Sequence, residues 1–129
     1  MILLDTHVLI WWIDDSPRLS QRYRQIIEEQ QDQGLGISIY SCWEIAKLVE
    51  YGKLDLKFPI EDWLEIALSH PKLQSIDLTI PIIIKSTQLS GFHKDPADQM
   101  IVATSIILGI PLLTADEKII AYPDVVTLD

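Results

Sequence analysis

Hydrophobic and polar positions along this chain form two kinds of segment that alternate. Short, unbroken apolar runs are typical of strands buried on both faces of a parallel sheet, and they are separated by stretches with apolar residues at helical spacing. Five strands are predicted, at residues 1–4, 36–40, 73–78, 111–114 and 125–128. The last is predicted at the edge of the sheet. This alternation predicts an α/β fold built from βαβ units around a mostly parallel sheet.

Helix start signals place the intervening helices. Ser41 and Glu44 have the Ser-x-x-Glu spacing of a capping box, which predicts a helix with Glu44 in its first turn and a stop at Gly52. Asp95 followed by Pro96 predicts an N-cap and first helical position, and so puts Asp98 in the first turn of the next helix. The other predicted helices cover about 7–13, 19–31, 59–69, 80–89 and 118–121.

Four acidic residues occupy equivalent positions in this pattern. Asp5 and Asp116 directly follow predicted strands, whereas Glu44 and Asp98 lie in predicted first turns of helices. In a parallel α/β sheet all these positions lie at the carboxyl edge, where ligands bind. Each acid alone is explained as a helix cap, but like charges gathered in a partly desolvated cleft raise one another's pKa. The set therefore predicts a cation site, with Asp95 as a fifth nearby acid.

The donor set indicates which cation and which chemistry. Carboxylate oxygens without histidines or thiolates favour Mg²⁺ or Mn²⁺ over Zn²⁺, and such ions share their coordination with phosphate. A metal held there can activate water and stabilise a leaving oxygen, which suggests hydrolysis of a phosphodiester. The chain contains no Gly-x-Ser-x-Gly, Gly-x-Gly-x-x-Gly or P-loop motif, and Cys42 is interpreted as a packing residue.

Length, charge and cysteine content narrow the class of protein. The 129 residues predict one domain, 1–129, and the net charge of -9 argues against a general nucleic-acid-binding surface while leaving a metal-bridged substrate open. A single cysteine excludes an internal disulfide. No apolar run reaches the roughly 18 residues of a membrane span, and no basic segment opens the chain. A cytoplasmic protein is expected.

The ordered motifs resemble those of PIN-domain nucleases. They are Asp5-Thr6-His7-Val8-Leu9-Ile10, Glu44, Asp95-Pro96-Ala97-Asp98 with the helix that follows, and Leu112-Leu113-Thr114-Ala115-Asp116. More narrowly, the chain is similar to the VapC ribonuclease toxins of bacterial toxin-antitoxin modules, essentially from end to end. The resemblance implies a three-layer α/β/α PIN-like domain with a central sheet of four to five strands.

The resemblance also implies an activity, a cofactor and partners. The activity is Mg²⁺-dependent endoribonuclease cleavage, and the partners are an RNA substrate, a cognate antitoxin and further copies in a homodimer or larger assembly. Four residues match the family's acidic quartet, which supplies metal ligands and catalysis: Asp5, Glu44, Asp98 and Asp116. Thr6, Thr114 and Asp95 match supporting positions. His7 and Gln99 depart from the residues common in the family at substrate-contacting positions.

Two other functions are compatible with acids at strand ends. A receiver-like phosphoryl-accepting domain would need an acidic pair after the first strand and a Lys after the last, and the chain has Thr6 and His7 after Asp5 instead. A catalytically silent module that only holds an ion is the third hypothesis. His93 and His70 are interpreted as loop and helix-end residues. Trp11 and Trp63 are predicted in the core, while Trp12 and Trp43 are candidates for a substrate or antitoxin groove.

Overall fold

A five-stranded sheet lies at the centre of the molecule. The computed structural model describes residues 1–128; Asp129, the last residue of the predicted domain, lies outside them. The strands are β1 (Ile2–Leu4), β2 (Leu35–Ser38), β3 (Leu73–Ile76), β4 (Leu112–Leu113) and β5 (Thr127–Leu128). The helices are α1 (Thr6–Ile13), α2 (Gln21–Gln30), α3 (Ile39–Glu50), α4 (Ile60–Leu68), α5 (Ile80–Ser86), α6 (Pro96–Leu108) and α7 (Glu117–Ile120).

All four strand pairings are parallel, and the strand order is β3-β2-β1-β4-β5. The first strand of the chain is thus the central one. Because every strand runs the same way, the residues that follow β1 and β4 leave the sheet at the same edge. The predicted α/β fold and the edge position of β5 are confirmed.

Two hydrophobic cores sandwich the sheet, which gives three layers. Alternate residues of β1 divide between them: Ile2 and Leu4 pack with α1 to α4, whereas Leu3 packs with α6 and α7. All three side chains are at most 2% exposed. Burial on both faces explains why the strand is a continuous apolar run without polar alternation. The predicted α/β/α layering is confirmed.

The start of α3 differs from the prediction. The helix begins at Ile39, and the hydroxyl of Ser38 caps it by accepting from the Tyr40 N–H at 3.1 Å. The predicted capping box at Ser41 is therefore wrong, and Glu44 lies in the second turn. The boundary moves because β2 ends at Ser38, the last residue of the chain segment paired with β3.

The helix predicted after Asp95 is confirmed in detail. Asp95 caps α6, Pro96 is its first residue, and Gly109 ends it in the left-handed conformation with a φ of 65°. A glycine pays little for that conformation, whereas most side chains would be strained there. Within residues 1–128, no helix combines the length and the apolar character needed to cross a membrane.

Candidate active site

Asp5 is held rigidly at the end of the central strand. It is only 6% exposed, and its two carboxylate oxygens accept from different groups: Oδ1 from the Thr6 N–H at 2.8 Å and Oδ2 from the Thr114 hydroxyl at 2.6 Å. The first of these bonds caps α1. Asp5 can therefore act both as the N-cap of α1 and as a residue of the site. Its Oδ1 caps the helix, whereas its Oδ2 joins the end of β1 to the end of β4.

Thr114 connects Asp5 to Asp116. Its hydroxyl donates to Asp5 and accepts from the Asp116 N–H at 3.0 Å, while its carbonyl accepts from the Tyr23 hydroxyl at 2.7 Å. Asp116 in turn caps α7, since its Oδ1 accepts from the Lys118 N–H at 2.9 Å. The chain turns that follow β1 and β4 are thus fixed to each other by a single buried side chain.

Glu44 reaches the same region from α3. The Thr6 hydroxyl donates to Ser41 Oγ at 2.9 Å. Burial raises the pKa of Glu44, and an interaction between Thr6 and the Glu44 carboxylate opposes that rise. Thr6 and Ser41 are both buried. A polar contact therefore joins the start of α1 to the first turn of α3, and it orients the helix that carries Glu44.

Asp95 and Asp98 enter from the start of α6. Asp95 Oδ1 accepts from the N–H groups of Ala97 and Asp98, at 3.0 and 3.2 Å. The ring of His93 lies against this turn. Its Nδ1 accepts from the Asp95 N–H at 3.4 Å, and its Nε2 lies 3.0 Å from Asp98 Oδ2, although Nε2 makes no directed hydrogen bond.

All five acids line one cavity of about 310 Å³. Its wall is formed by residues from four separate segments of the chain: Asp5, His7, Trp11, Glu44, Asp95, Asp98, Ala115 and Asp116. The sequence prediction that the acids share one edge of the sheet agrees with this arrangement. The metal-binding and catalytic roles of the individual residues remain predictions.

The cavity disfavours negative charge. Burial, followed by the charges of Asp95, Asp5, Asp116 and Glu44, raises the pKa of Asp98 to about 8. Burial is also the main cause of the raised pKa of Asp5 and of Glu44, against hydrogen bonds that lower it. Without a cation, burial and mutual repulsion make it unfavourable for all these carboxyl groups to be ionised at once. A bound cation would offset that unfavourable free energy in the folded protein.

The donors fit a hard divalent ion. The cavity offers carboxylate oxygens, and the carboxylates surround it without converging tightly: across residues 1–128, no three His, Cys, Asp or Glu side chains are grouped closely enough to hold a metal ion. Mg²⁺ needs few protein ligands, because it keeps several of its waters and is usually held by one or two carboxylates. Asp5 and Asp98 are the ligands that the sequence analysis predicts, and Glu44 and Asp116 line the same cavity.

The sequence did not identify two residues at the site, Trp11 and His93. Trp11, predicted in the core, is partly buried against the core and also lines the cavity. The centroid of its ring lies 6.1 Å from that of the His7 ring. His93, interpreted as a loop residue, contacts Asp98. The i, i+4 spacing of His7 and Trp11 on α1 could have indicated a shared face; nothing local pairs His93 with Asp98.

The other tryptophans and the cysteine differ in how deeply they are buried. Trp63 is 1% exposed and donates to Asp14 Oδ1 at 2.8 Å, which agrees with a core position. Trp43 is 54% exposed and stacks with Tyr40, whereas Trp12 packs on the core and against His70. Cys42 is buried, and burial raises the pKa of its thiol. A buried neutral thiol agrees with its interpretation as a packing residue.

Comparison with known proteins identifies the class to which this fold and acidic cavity belong. The model of the PIN domain family matches residues 2–125, and the chain belongs to that family. Ribonuclease VapC22 of Mycobacterium tuberculosis is 34% identical over 119 residues, which are 92% of this chain and 88% of the relative.

Solved structures share the fold. VapBC2 from Rickettsia felis, bound to a DNA fragment from its promoter, superposes with a TM-score of 0.71 at 22% identity, covering 99% of this chain and 98% of the other. FitAcB from Neisseria gonorrhoeae gives a TM-score of 0.69 at 20% identity over 100% and 97% of the two chains. DNA-bound VapBC from Salmonella typhimurium gives 0.71 at 20% identity over 100% and 98%.

Proposed function

We propose that this protein is a Mg²⁺-dependent endoribonuclease and the toxin of a toxin-antitoxin pair. The observation that carries the proposal is the gathering of four acids from α3, α6 and the ends of β1 and β4 around one cavity. The relative named ribonuclease VapC22 supports RNA as the substrate. Mn²⁺ is a possible substitute, since it accepts the same oxygen ligands.

A metal ion bound by Asp5 and Asp98, assisted by Glu44 and Asp116, would supply a nucleophilic hydroxide and neutralise charge on the scissile phosphate. The residues of the chain do the rest. Thr114 and the Thr6 N–H fix both oxygens of Asp5, so this ligand costs little reorganisation when an ion binds. Asp95 fixes the turn that carries Asp98. The carboxylates act as ligands and do not become covalently attached to RNA.

Substitution of Asp98 by Asn tests this mechanism. Asn keeps the shape of the side chain but removes the ionised oxygen ligand, so we expect cleavage of single-stranded RNA in Mg²⁺ to fall at least about 100-fold. The measurement is the initial rate on a labelled oligonucleotide. Asp55→Asn, at an exposed acid outside the cavity, is the matched control and should cleave at the rate of the parent. Equal rates for Asp98→Asn and the parent would contradict the mechanism.

The other two hypotheses give different results. A receiver-like domain has the doubly wound strand order 2-1-3-4-5, whereas this sheet has the order 3-2-1-4-5, so the topology does not support phosphoryl transfer to an Asp. A silent ion-binding module predicts that Mg²⁺ raises the melting temperature of the parent protein without any RNA turnover. Measuring stability and cleavage on the same sample separates that outcome from a nuclease.

The proposed partners follow from the same comparison. The solved structures that share this fold include a toxin-antitoxin complex from Klebsiella pneumoniae, which supports a cognate antitoxin as a protein partner of this chain. A homodimer or larger assembly in the cytoplasm is part of the proposal. The net charge of -9 makes a basic antitoxin segment a suitable ligand for the acidic face.

A further inference from the structure

A second cavity, of about 300 Å³, differs in character from the acidic one. Its walls include the side chains of Phe92, His93, Lys118 and Tyr122, and no Asp or Glu is among its lining residues. Its volume is at the lower end of the range for small-molecule sites. In a chain with a net charge of -9, a concave surface with aromatic and basic walls is a distinct feature.

This cavity adjoins the acidic cavity through two of its walls. His93 forms one wall, and its Nε2 lies 3.0 Å from Asp98 Oδ2. Lys118 forms another, and its backbone N–H donates to Asp116 Oδ1 at 2.9 Å. A chain of nucleotides whose phosphate reaches Asp98 and Asp116 would therefore place its neighbouring nucleotide beside the second cavity.

The aromatic walls are fixed in place. The Phe92 ring is half-buried, with its centroid 4.4 Å from that of His93 and 4.8 Å from that of Tyr122. The Tyr122 hydroxyl donates to the Ser90 carbonyl at 3.0 Å, which ties the segment after α7 to the loop before α6. A rigid aromatic surface of this kind can stack on a base with little loss of side-chain entropy.

Lys118 provides the complementary charge. Its side chain is exposed, and among residues 1–128 its ammonium group forms no ion pair. Two other lysines are neutralised, Lys47 by Glu50 at 2.9 Å and Lys72 by Asp32 at 3.1 Å. An unpaired cation next to the acidic cavity can contact a phosphate group that the acids themselves would repel.

We propose that this cavity, which we call the Phe92 subsite, binds the base of a nucleotide adjacent to the scissile phosphate, with Lys118 on a flanking phosphate. The proposal rests on the proposed ribonuclease function and names the form of its substrate. A base can enter the subsite only when it is unpaired and unstacked, so the enzyme would select single-stranded segments or loops. Phe92 and Lys118 are substrate-binding residues and not metal ligands.

Binding of a fluorescein-labelled single-stranded RNA 12-mer, measured by anisotropy in Mg²⁺ on the non-cleaving Asp98→Asn background, tests the subsite. We expect Lys118→Met to reduce the slope of log affinity against log salt by about 0.7, the value for one phosphate contact on a single strand. We expect Phe92→Leu, which keeps an apolar side chain but removes the ring, to weaken binding about 5-fold or more. Lys72→Met, at the opposite end of the sheet, is the control with the same change in charge.

Photocrosslinking locates the base directly. RNA carrying one 5-iodouridine, placed in turn at each position, should crosslink to Phe92 or Tyr122 when the label neighbours the cleaved bond. The subsite alone would be overturned if the parent cleaved RNA normally while two results were negative. In those results, Lys118→Met and Phe92→Leu would bind RNA with the affinity and salt dependence of Lys72→Met, and no crosslink would form in residues 91–93 or 118–123. A parent protein that neither binds nor cleaves RNA would overturn both proposals. Melting temperatures of the variants show whether a loss of binding comes from unfolding.

Discussion

At the scale of single residues, Thr114 is predicted to support Asp5 without being a metal ligand itself. Its hydroxyl donates to Asp5 Oδ2 at 2.6 Å and accepts from the Asp116 N–H at 3.0 Å. Thr114→Val keeps the shape and removes both bonds, leaving a buried carboxylate oxygen without a donor. We expect a loss of about 1 to 3 kcal/mol in unfolding free energy and roughly 10- to 100-fold weaker Mg²⁺ binding.

Urea denaturation and a calorimetric Mg²⁺ titration measure the two effects of Thr114→Val separately. Thr114→Ser is the control, because it retains the hydroxyl. Metal affinity within twofold of the parent for the valine variant would mean that Thr114 does not orient Asp5.

The pKa of Asp98 predicts how stability changes with pH in the absence of divalent ions. Its pKa is about 8 in the folded protein and 3.8 when unperturbed. Between these values the unfolded chain has lost a proton that the folded protein keeps, so the contribution of Asp98 to stability is present below pH 4 and is lost as pH rises towards 8. Asp98→Asn removes this dependence. We therefore expect the variant to be more stable than the parent at pH 8, by about 1 kcal/mol or more.

Thermal unfolding of both proteins in EDTA at pH 4.5 and at pH 8 measures this effect. The stability difference should shrink towards zero at the lower pH, and Mg²⁺ at pH 8 should stabilise the parent more than the variant. A difference that is the same at both pH values would show that the charge of Asp98 carries no cost in the folded protein.

The residues of the site differ in how far the sequence predicts them. Asp5, Asp95 and Asp98 are marked by their own neighbours, a buried strand before one and an Asp-Pro start signal for the others. His93 and Trp11 are not marked, since their roles depend on contacts with residues brought near by the fold. The His93–Asp98 contact exists because the loop before α6 folds back on the first turn of that helix.

At the scale of elements, the start of α3 depends on a competition between two serines. Ser38 and Ser41 are both good N-cap residues, and the sequence favours Ser41 because Glu44 completes a capping box. The pairing of Ser38 with Ile76 decides the outcome, because it fixes where β2 ends. Such a pairing between distant segments has no signature within either segment.

Ser38→Ala should therefore destabilise the protein through α3. We expect a loss of about 1 kcal/mol in unfolding free energy, and faster hydrogen exchange at the Tyr40 amide, whose acceptor is the Ser38 hydroxyl at 3.1 Å. Ser41→Ala removes the acceptor of the Thr6 hydroxyl instead and should leave exchange at Tyr40 unchanged. Faster exchange at the Glu44 amide in Ser41→Ala, with unchanged exchange at the Tyr40 amide in Ser38→Ala, would restore the capping box.

At the scale of the whole molecule, the strand order explains how a chain so acidic would act on the RNA substrate that we propose. Placing β1 in the centre brings Asp5 next to Asp116 on one side and to Glu44, which follows β2, on the other. Five acids line one cavity, where a bound divalent ion would offset their charge, and the Phe92 subsite lies beside it. The sequence could predict the shared edge, since parallel strands require it, but it could not predict the shape of the cavity that three helices and the ends of two strands form together.

The proposed toxin role makes a prediction for the complete protein in cells. Induced expression of the parent in a bacterium should arrest growth, because uncontrolled RNA cleavage stops protein synthesis, whereas Asp5→Asn expressed to the same level should not. Co-expression of the product of a short reading frame beside this gene should restore growth to the parent strain. Growth curves with protein levels checked by immunoblot provide the measurement. Arrest by both the parent and Asp5→Asn would separate toxicity from the acidic site, because the substitution removes the carboxylate that Thr6 and Thr114 hold in position.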